Sequence, residues 1–346
     1  MSNRETTTGL DGDPAARPAT VARELSTPVP AVLAFDLGGT RIKAGIVQGA
    51  RVSSLQVEPT DDGEEGADAL TSLLRLGRHL MDEHDVAAVG VSVKGIVDPA
   101  RGVVRDVKER LIGLVGQPLA AIVAQEFGRP AYIENDARMY TLGEVQYGAG
   151  QGHQNVVCLT LGTGVGSGVV LGGRLLRGLR GVGGILAGHA TIQVDGPACT
   201  CGNVGCLEAL IGTVGFVRLA DEAVARAPSP SMLRQAPRTP QSIFEAAVRG
   251  DALASALTHT FATYLAAGIV TAIHAYDPDL VVLGGGMMHS FAPFLPRVQA
   301  SVDAHAWTVP RGRVRIVQAA LGDAAALIGV AALATQATQA DNLSSP

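Results

Sequence analysis

The stretch AVLAFDLGGTRIKAGIVQG, residues 31–49, decides the fold because it holds two apolar segments on either side of a glycine turn. Residues 32–35 predict a buried strand, and the alternating apolar positions over residues 42–46 predict a second one. The turn at residues 38–40 therefore joins two strands, not a strand and a helix. That order excludes a Walker loop, which also needs a Gly-Lys-Ser/Thr ending, and a dinucleotide-binding fingerprint. The backbone N–H groups of such a turn can still enclose a phosphate.

Asp36 stands at the end of the first predicted strand. We expect its carboxylate to face a metal ion or the water shell of that ion, because Mg²⁺ beside phosphates is bound through carboxylates. An ordinary hairpin with an exposed aspartate is the alternative, and this motif alone does not separate the two.

The same design returns in VVCLTLGTGVGSGVVL, residues 156–171, as strand, glycine turn and strand. An internal duplication of this kind predicts two related halves that each present one phosphate-binding hairpin to a shared cleft. The segment GTGVGSG does not have the spacing of a dinucleotide-binding loop, and the residues after it are β-branched or glycine rather than helix-forming.

Predicted strands and helices alternate along the rest of the chain, which indicates a mixed or mostly parallel sheet covered on both faces. Asn135 and Asp136 fall where a strand runs into a helix. Asp136 occupies the place of an N-cap, the commonest role of an aspartate there. The functional alternative is a general base that faces the cleft, since a helix start favours the ionised form. A third glycine turn, at residues 284–286, follows the strand of PDLVVLGGGMM.

The stretch HATIQVDGPACTCGNVGCLE, residues 189–208, holds one histidine, three of the chain's four cysteines and a carboxylate. One imidazole and three thiolates, from His189, Cys199, Cys201 and Cys206, make a closed tetrahedral zinc set. Small buried cysteines in a glycine-rich loop are the alternative, which three cysteines within eight residues disfavour. A disulfide is disfavoured because nothing indicates secretion.

The composition bounds the remaining classes of protein. The chain has 346 residues, 47% apolar and 17% charged, with a net charge of −5, which fits a globular protein of up to two domains and gives no basic footprint for nucleic acid. Its longest apolar stretch is interrupted by His274, so we expect no membrane span. Residues 1–30 are polar without a signal core, so we expect a disordered tail and a cytoplasmic protein.

Together these motifs resemble the ROK family of sugar kinases and repressors, over residues 31–338. The pieces that carry the resemblance are DLGGTRIKAGIV, ENDA, LTLGTGVGSGVVLGGRLLRG, the histidine–cysteine stretch, PDLVVLGGG and LGDAAALIG. The resemblance implies an α/β chain with the two-domain actin-like ATPase (ribonuclease-H-like) fold, an inter-domain cleft and a structural zinc loop. It implies a smaller domain of residues 31–133 plus 323–340 and a larger domain of residues 134–322.

The resemblance also implies roles for single residues. The ATP phosphates are expected at the first turn, with Asp36, Gly38, Gly39 and Thr40, and at the second, with Gly162, Thr163 and Gly164. The adenosine side is expected at Gly284, Gly285 and Gly286. Asp136 matches the catalytic base. The sugar-side residues that match are Asn135, Asp136, His189, Glu208 and Gly95, with His189 also a zinc ligand. The implied cofactors are ATP, Mg²⁺ and structural Zn²⁺. The implied assembly is a homodimer or a tetramer, and the implied substrate is a small-molecule sugar or cyclitol.

Two departures from the family pattern lie on the sugar side. Leu186 stands three residues before His189, where the family has a glutamate that contacts the sugar, and a leucine cannot accept a hydrogen bond from a hydroxyl. Lys94, in SVKG, stands where the family has proline, and the downstream Asn-Leu segment is replaced by VKERLIG. We interpret Lys94 as a solvated surface lysine, the commoner state, with a substrate contact as the alternative.

These departures predict a working kinase with an unusual acceptor. We expect phosphorylation of a primary hydroxyl on a C7-cyclitol resembling 2-epi-5-epi-valiolone, as in actinobacterial antibiotic pathways. Ordinary glucokinase activity and activity on an aminosugar such as kanosamine are the alternatives within the class. A non-catalytic sugar sensor is the alternative outside it, while a repressor is disfavoured because about thirty residues before the first strand are too few for a helix-turn-helix.

Overall fold

The computed structural model describes residues 29–60, 67–107, 111–235 and 237–344. Residues 1–28 of the expected tail and residues 108–110 of VKERLIG lie outside this description.

The first sheet contains the first glycine hairpin and has five strands. Its spatial order is β3-β2-β1-β4-β7, where β1 is Val32–Leu37, β2 Arg41–Gln48, β3 Arg51–Pro59, β4 Ala88–Val93 and β7 Ala131–Asn135. The hairpin strands β1 and β2 are antiparallel, whereas β4 and β7 run parallel to β1. A small separate hairpin of β5, Ile96–Asp98, and β6, Val103–Asp106, follows β4.

The second sheet repeats this arrangement with the second glycine hairpin. Its order is β10-β9-β8-β11-β12, where β8 is Val156–Leu161, β9 Val165–Leu171, β10 Arg174–Leu175, β11 Leu280–Gly284 and β12 Arg315–Gln318. Again the hairpin is antiparallel and the last two strands are parallel to its first strand. The duplication predicted from the two glycine hairpins therefore extends to whole sheets.

Ten α-helices surround the sheets among the described residues. They are α1 Ala67–Glu83, α2 Leu119–Phe127, α3 Asp136–Tyr147, α4 Leu207–Ile211, α5 Thr213–Arg226, α6 Pro240–Val248, α7 Ala252–Tyr276, α8 Met288–Phe291, α9 Leu295–His305 and α10 Ala325–Ser344. The residues after Cys206 form two helices rather than one, because Gly212 ends α4 in extended backbone and α5 starts again at Thr213.

Helix α7 is long and apolar enough to cross a membrane by length and composition, unlike the sequence expectation. Its apolar side chains instead pack in the core of the second half. Phe261, Leu265 and Ile269 are fully buried there, and Phe261 packs edge-to-face on Phe216 and Phe244. These contacts are those of a core helix, and length and composition alone are weak grounds for a membrane span.

Helices α3 and α10 cross between the two sheets with their backbones in contact. A Cβ atom on Gly143 would meet the Ala325 carbonyl oxygen, and one on Gly329 would meet that of Met139. Glycine is required at both positions because no side chain fits the crossing. Helix α10 packs on the first sheet, against strands β1, β4 and β7, so the C-terminal helix returns to the first half of the chain.

Candidate active site

The predicted catalytic residues lie at the carboxyl ends of three neighbouring parallel strands. In the register of the sheet, Leu37 of β1 is opposite Val93 of β4, and Val93 is opposite Asn135 of β7. The first glycine turn, Lys94 and Asp136 therefore leave the same edge of the sheet side by side. This edge is where open α/β sheets bind ligands.

The first glycine turn is held by backbone hydrogen bonds and by one hydroxyl. The Gly38 N–H donates to the Arg41 carbonyl oxygen at 3.1 Å, and the Thr60 hydroxyl donates to the Gly38 carbonyl oxygen at 2.8 Å. The Lys94 N–H donates to the Leu37 carbonyl oxygen at 3.3 Å, which ties the turn to β4. The turn is thus fixed before any ligand binds.

Asp36 is the second-last residue of β1, just before the first glycine turn, and its carboxylate has two polar neighbours. The Ser92 hydroxyl donates to its Oδ1 at 3.0 Å, and the Lys43 Nζ atom lies 3.7 Å from its Oδ2. Burial raises the pKa of the Asp36 carboxyl, which Lys43 and Ser92 counteract. Lys43 also donates to the Asp323 carbonyl oxygen at 2.9 Å, so its charge is shared with the 3-10 turn that precedes α10.

Asn135 and Asp136 form the junction of β7 and α3, and their roles there differ from the prediction. The N-cap is Asn135, whose side-chain oxygen accepts the Arg138 N–H at 3.1 Å, whereas Asp136 is the first helical residue. The Asn135 amide donates to the Gly95 carbonyl oxygen and to the Asp136 Oδ1 atom, both at 2.9 Å. Gly95 has a φ of 112°, which a residue with a Cβ rarely adopts.

Asp136 has the electrostatics of a general base. Burial is the main cause that raises the pKa of its carboxyl to about 6, and the charge of Asp36 adds to it. The Ala137 N–H, which donates to Oδ1 at 2.8 Å, and the Lys94 ammonium act in the opposite direction. A carboxylate with a pKa near 6 is ionised at neutral pH and more basic than an ordinary aspartate, as a proton acceptor requires.

The second glycine turn is anchored to the zinc-type loop and to α5. The Glu208 Oε2 atom accepts the Val165 N–H at 2.9 Å, directly after the turn. The Thr213 N–H and hydroxyl both donate to the Gly162 carbonyl oxygen at 3.0 Å. Open space surrounds the Cβ position of Gly162, so a ligand can approach the backbone there.

Other glycines of this hairpin serve packing. A Cβ atom on Gly166 would crowd Thr160 and Ala137, and one on Gly168 would meet Thr141 and the Ala137 carbonyl oxygen. The first turns of α3 therefore rest directly on β9. This contact brings the second hairpin beside the start of α3, where Asp136 lies.

The third glycine turn is likewise divided between packing and open space. A Cβ atom on Gly284 would meet the Tyr140 ring, and one on Gly285, at φ 86°, would meet the backbone of Leu161. Only at Gly286 of these three is the Cβ position free of neighbours. The turn packs against the end of β8 through Gly285, and it leaves the space beside the Gly286 backbone open.

The histidine and three cysteines predicted as zinc ligands converge. Their four ligand atoms, from His189, Cys199, Cys201 and Cys206, lie within 4.8 Å of one another. The Cys201 and Cys206 sulfurs are 3.7 Å apart, and the Cys199 sulfur is 3.6 Å from the His189 Nδ1 atom. A tetrahedral zinc site with Zn–S bonds of about 2.3 Å has ligand edges of about 3.8 Å, so the donor set fits Zn²⁺.

The tight turn expected inside this loop is present. Gly202 and Gly205 both adopt positive φ values, 93° and 61°, and a Cβ atom on Gly205 would meet the Gln193 carbonyl. Glu208 follows the loop on α4, with its Oε1 atom 3.9 Å from the His189 Nδ1 atom. The Glu208 carboxylate thus links the histidine–cysteine cluster to the second glycine turn.

The structure contains a buried ion network, centred on Glu134, that the sequence did not predict. Arg138 and Glu134 are both completely buried and 3.0 Å apart, and Arg177 contacts the other Glu134 oxygen at 2.6 Å. The Arg138 guanidinium also donates to the carbonyl oxygens of Leu176, Arg177, Gly181 and Gly183. It fixes the loop before His189 to the junction that carries Asp136. The carbonyl acceptors of this network leave no pattern in the sequence, and the i,i+4 spacing of Glu134 and Arg138 crosses the boundary between β7 and α3, so it does not mark one helix face.

The two residues that depart from the family pattern have different surroundings. Leu186 begins the 3-10 turn Ala187–His189 and is half-exposed, in an open groove with Ala190 and Tyr276. The Lys94 side chain is exposed, but its Nζ atom lies 3.9 Å from the Cβ position of Gly39. Lys94 is thus exposed, as interpreted from the sequence, and the adjacent strand ends place it beside the first glycine turn. A contact with substrate stays a prediction.

Comparison with known proteins agrees with this geometry. The ROK family model matches residues 32–337. The chain is 31% identical to a glucokinase of Thermotoga maritima, over 87% of this chain and 96% of that one, and 32% identical to a glucokinase of Streptomyces coelicolor, over 88% and 97%. The crystal structure of a ROK family glucokinase from Streptomyces griseus with glucose and AMPPNP is similar, with a TM-score of 0.76 and 32% identity over 88% of this chain and 99% of that one.

The duplicated sheets and the similarity to these glucokinases define a sugar phosphotransferase with the actin-like ATPase fold, and the enzyme class expected from the sequence is confirmed. The chain belongs to the ROK family.

Proposed function

We propose that the protein transfers the γ-phosphoryl group of ATP to a primary hydroxyl of a sugar-like acceptor, with Asp136 as the base. The observation that supports this most is the position of Asp136, a carboxylate with a raised pKa at the sheet edge that also carries the first glycine turn. The residues carried over from the family are part of this proposal.

In the proposed reaction the Asp136 carboxylate accepts the hydroxyl proton of the acceptor as its oxygen attacks the γ-phosphorus. The bond from phosphorus to the β–γ bridging oxygen breaks, and ADP leaves with that electron pair. The backbone of the first and second turns, with Thr40 and Thr163, positions the phosphates, and residues 284–286 receive the adenosine side. Positioning and charge neutralisation supply most of the rate in such transfers.

Mg²⁺ is the metal we propose on the phosphate side. Asp36 fits this role, since its carboxylate is buried beside the first turn and its two polar neighbours, Ser92 and Lys43, hold it in place. When bound with ATP, the ion neutralises charge on the β- and γ-phosphates.

Zn²⁺ is proposed as a structural ion in the four-residue cluster. Ligation through His189 Nδ1 leaves Nε2 for the acceptor, and the 3.9 Å approach of Glu208 to the same imidazole supports a shared role in holding the sugar ring. Together with Asn135 and Gly95 these residues make up the proposed acceptor side.

The finer proposal is an atypical acceptor, such as a C7-cyclitol resembling 2-epi-5-epi-valiolone. It rests on Leu186, a half-exposed leucine where the family carries a hydroxyl-binding glutamate. Glucose is the second candidate, favoured by the glucokinases among the relatives, and kanosamine is a third.

An acceptor panel tests these proposals. ATP consumption is measured with glucose, kanosamine and the cyclitol, for the wild type, Asp136→Ala and Leu186→Glu. We expect the cyclitol or the aminosugar to be preferred by the wild type, and glucose turnover to rise in Leu186→Glu. High glucose turnover by the wild type that ignores the cyclitol would refute the atypical acceptor. Nucleotide binding with no turnover of any acceptor, unchanged in Asp136→Ala, would favour the non-catalytic sensor.

The domain division at residues 31–133 plus 323–340 and 134–322, a cytoplasmic location and a homodimer or tetramer complete the proposal. The return of α10 to the first sheet supports the division. Gel filtration with light scattering measures the assembly.

A further inference from the structure

Lys94 occupies the middle of the edge that carries the proposed chemistry. It is the first residue after β4, the strand between β1 and β7. The phosphate-type turn follows β1 on one side and Asp136 follows β7 on the other. A long cationic side chain at this place can reach both.

The Lys94 ammonium extends toward the turn. Its Nζ atom would lie 3.9 Å from a Cβ atom built on Gly39, so the absence of a side chain at Gly39 leaves the space beside it open. The charge of Lys94 also acts on Asp136, whose pKa it lowers against the effect of burial. The ammonium therefore lies within electrostatic reach of both groups that the transfer would use.

Within the described part of the chain, the Lys94 ammonium has no ion-pair partner within salt-bridge distance. Among the described residues no carboxylate or carbonyl accepts from its Nζ atom, whereas Lys43, the other lysine near the turn, lies beside Asp36 and donates to Asp323. An ammonium that lies beside a glycine turn and still has N–H donors available is placed to bind an anion.

We propose that Lys94 binds the phosphoryl group in transfer, between the first glycine turn and Asp136. This inference rests on the proposed kinase function and adds a protein cation to it. In the transition state the transferred group spreads its charge over three equatorial oxygens. An ammonium held beside these oxygens stabilises the transition state more strongly than it stabilises bound ATP. The role requires contact with the terminal phosphate, so it should distinguish ATP from ADP.

The test compares Lys94→Met, which keeps the length of the side chain, and Lys94→Arg, which keeps its charge. Arg249→Met is the matched control, because it removes one positive charge at the exposed end of α6. Binding of AMPPNP and of ADP, each with Mg²⁺, is measured by calorimetry, and turnover is measured with the best acceptor of the panel. Thermal unfolding checks that each variant is folded.

We expect Lys94→Met to lower kcat about 100-fold, the lower end of the range for loss of one charge-stabilising donor. The same variant should bind AMPPNP several-fold more weakly and ADP within about twofold of the wild type. Lys94→Arg should recover part of the lost kcat and part of the lost AMPPNP affinity. A Lys94→Met enzyme with the kcat and AMPPNP-to-ADP ratio of the Arg249→Met control would overturn the role of Lys94 and leave the kinase function standing. A wild type that binds neither nucleotide would overturn both.

Discussion

Replacement of Asp136 by asparagine should abolish phosphoryl transfer and yet stabilise the folded apoprotein at neutral pH. Burial, with a contribution from Asp36, raises the pKa of Asp136 from 3.8 to about 6. Between these values the folded protein holds a proton that the unfolded chain has released, so this group lowers stability as the pH rises. Asparagine removes the charge and keeps an oxygen that can accept from Asn135 and from the Ala137 N–H.

The size of the effect follows from the two pKa values. They differ by about two pH units, and each unit corresponds to about 1.4 kcal/mol, so full transmission would give about 3 kcal/mol at pH 7.5. The side chain is only partly buried at the cleft, and solvent screening reduces the effect, so we expect Asp136→Asn to be more stable by about 1–2 kcal/mol. At pH 5 the gain should be roughly half as large, because the wild-type carboxyl is then mostly protonated in the folded state.

Urea unfolding of the wild type and of Asp136→Asn, at pH 7.5 and pH 5 without nucleotide, measures this double difference. Titrations common to both proteins cancel in it. Turnover of the same preparations should fall by at least about 100-fold in the variant, and wild-type kcat/KM should decline below about pH 6. An asparagine variant no more stable than the wild type at pH 7.5, or a stability gain that grows toward pH 5, would refute a raised pKa for the partly buried Asp136 carboxyl.

Three further perturbations test the framework around the site. Arg138→Met removes the buried partner of Glu134 and should cost about 3–5 kcal/mol of unfolding free energy, whereas Arg226→Met, in an exposed pair, should change it by less than about 1 kcal/mol in the same urea titration. Gly168→Ala should lower the unfolding free energy by about 1–3 kcal/mol, because the new methyl group clashes with α3. Gly162→Ala, where the space is open, should leave the unfolding free energy unchanged and weaken ATP binding measured by calorimetry. One zinc per chain should be found by elemental analysis, and its removal by chelation should lower both the melting temperature and turnover. A metal-free preparation with full activity would contradict the structural zinc.

The sequence predicted the elements whose signals are local. The strand–turn–strand pattern at residues 31–49 and 156–171 identified both hairpins because period-two apolar alternation and a glycine turn are written in consecutive residues. The cysteine spacing likewise identified the cluster, which the structure brings together. The N-cap was misplaced by one residue, because Asn135 and Asp136 are both strong capping types and only the backbone decides between them.

Contacts between distant segments could not be predicted in this way. The fully buried Arg138 is satisfied by carbonyl oxygens near residue 180, and backbone acceptors leave no pattern in a sequence. Lys94 was interpreted from the base rate of exposed lysines, and it is exposed, but the exposure is toward the cleft. Only the pairing of β4 with β1 and β7 puts its charge at the site.

The duplication makes the position of Lys94 more informative, because the second sheet provides its counterpart. Strand β11 stands between β8 and β12 as β4 stands between β1 and β7, and Gly285 directly follows β11. A side chain at Gly285 would clash with the Leu161 backbone. At this position the second half therefore has backbone without a side chain, whereas the first half has the Lys94 ammonium. On the proposed function this difference separates the two ends of one nucleotide. The turn at Gly285 suits the adenosine side, whereas the turn beside the Lys94 ammonium suits the phosphoryl group that is transferred to the acceptor. Two copies of one topology can therefore serve one asymmetric ligand because the residue after the central parallel strand differs between them.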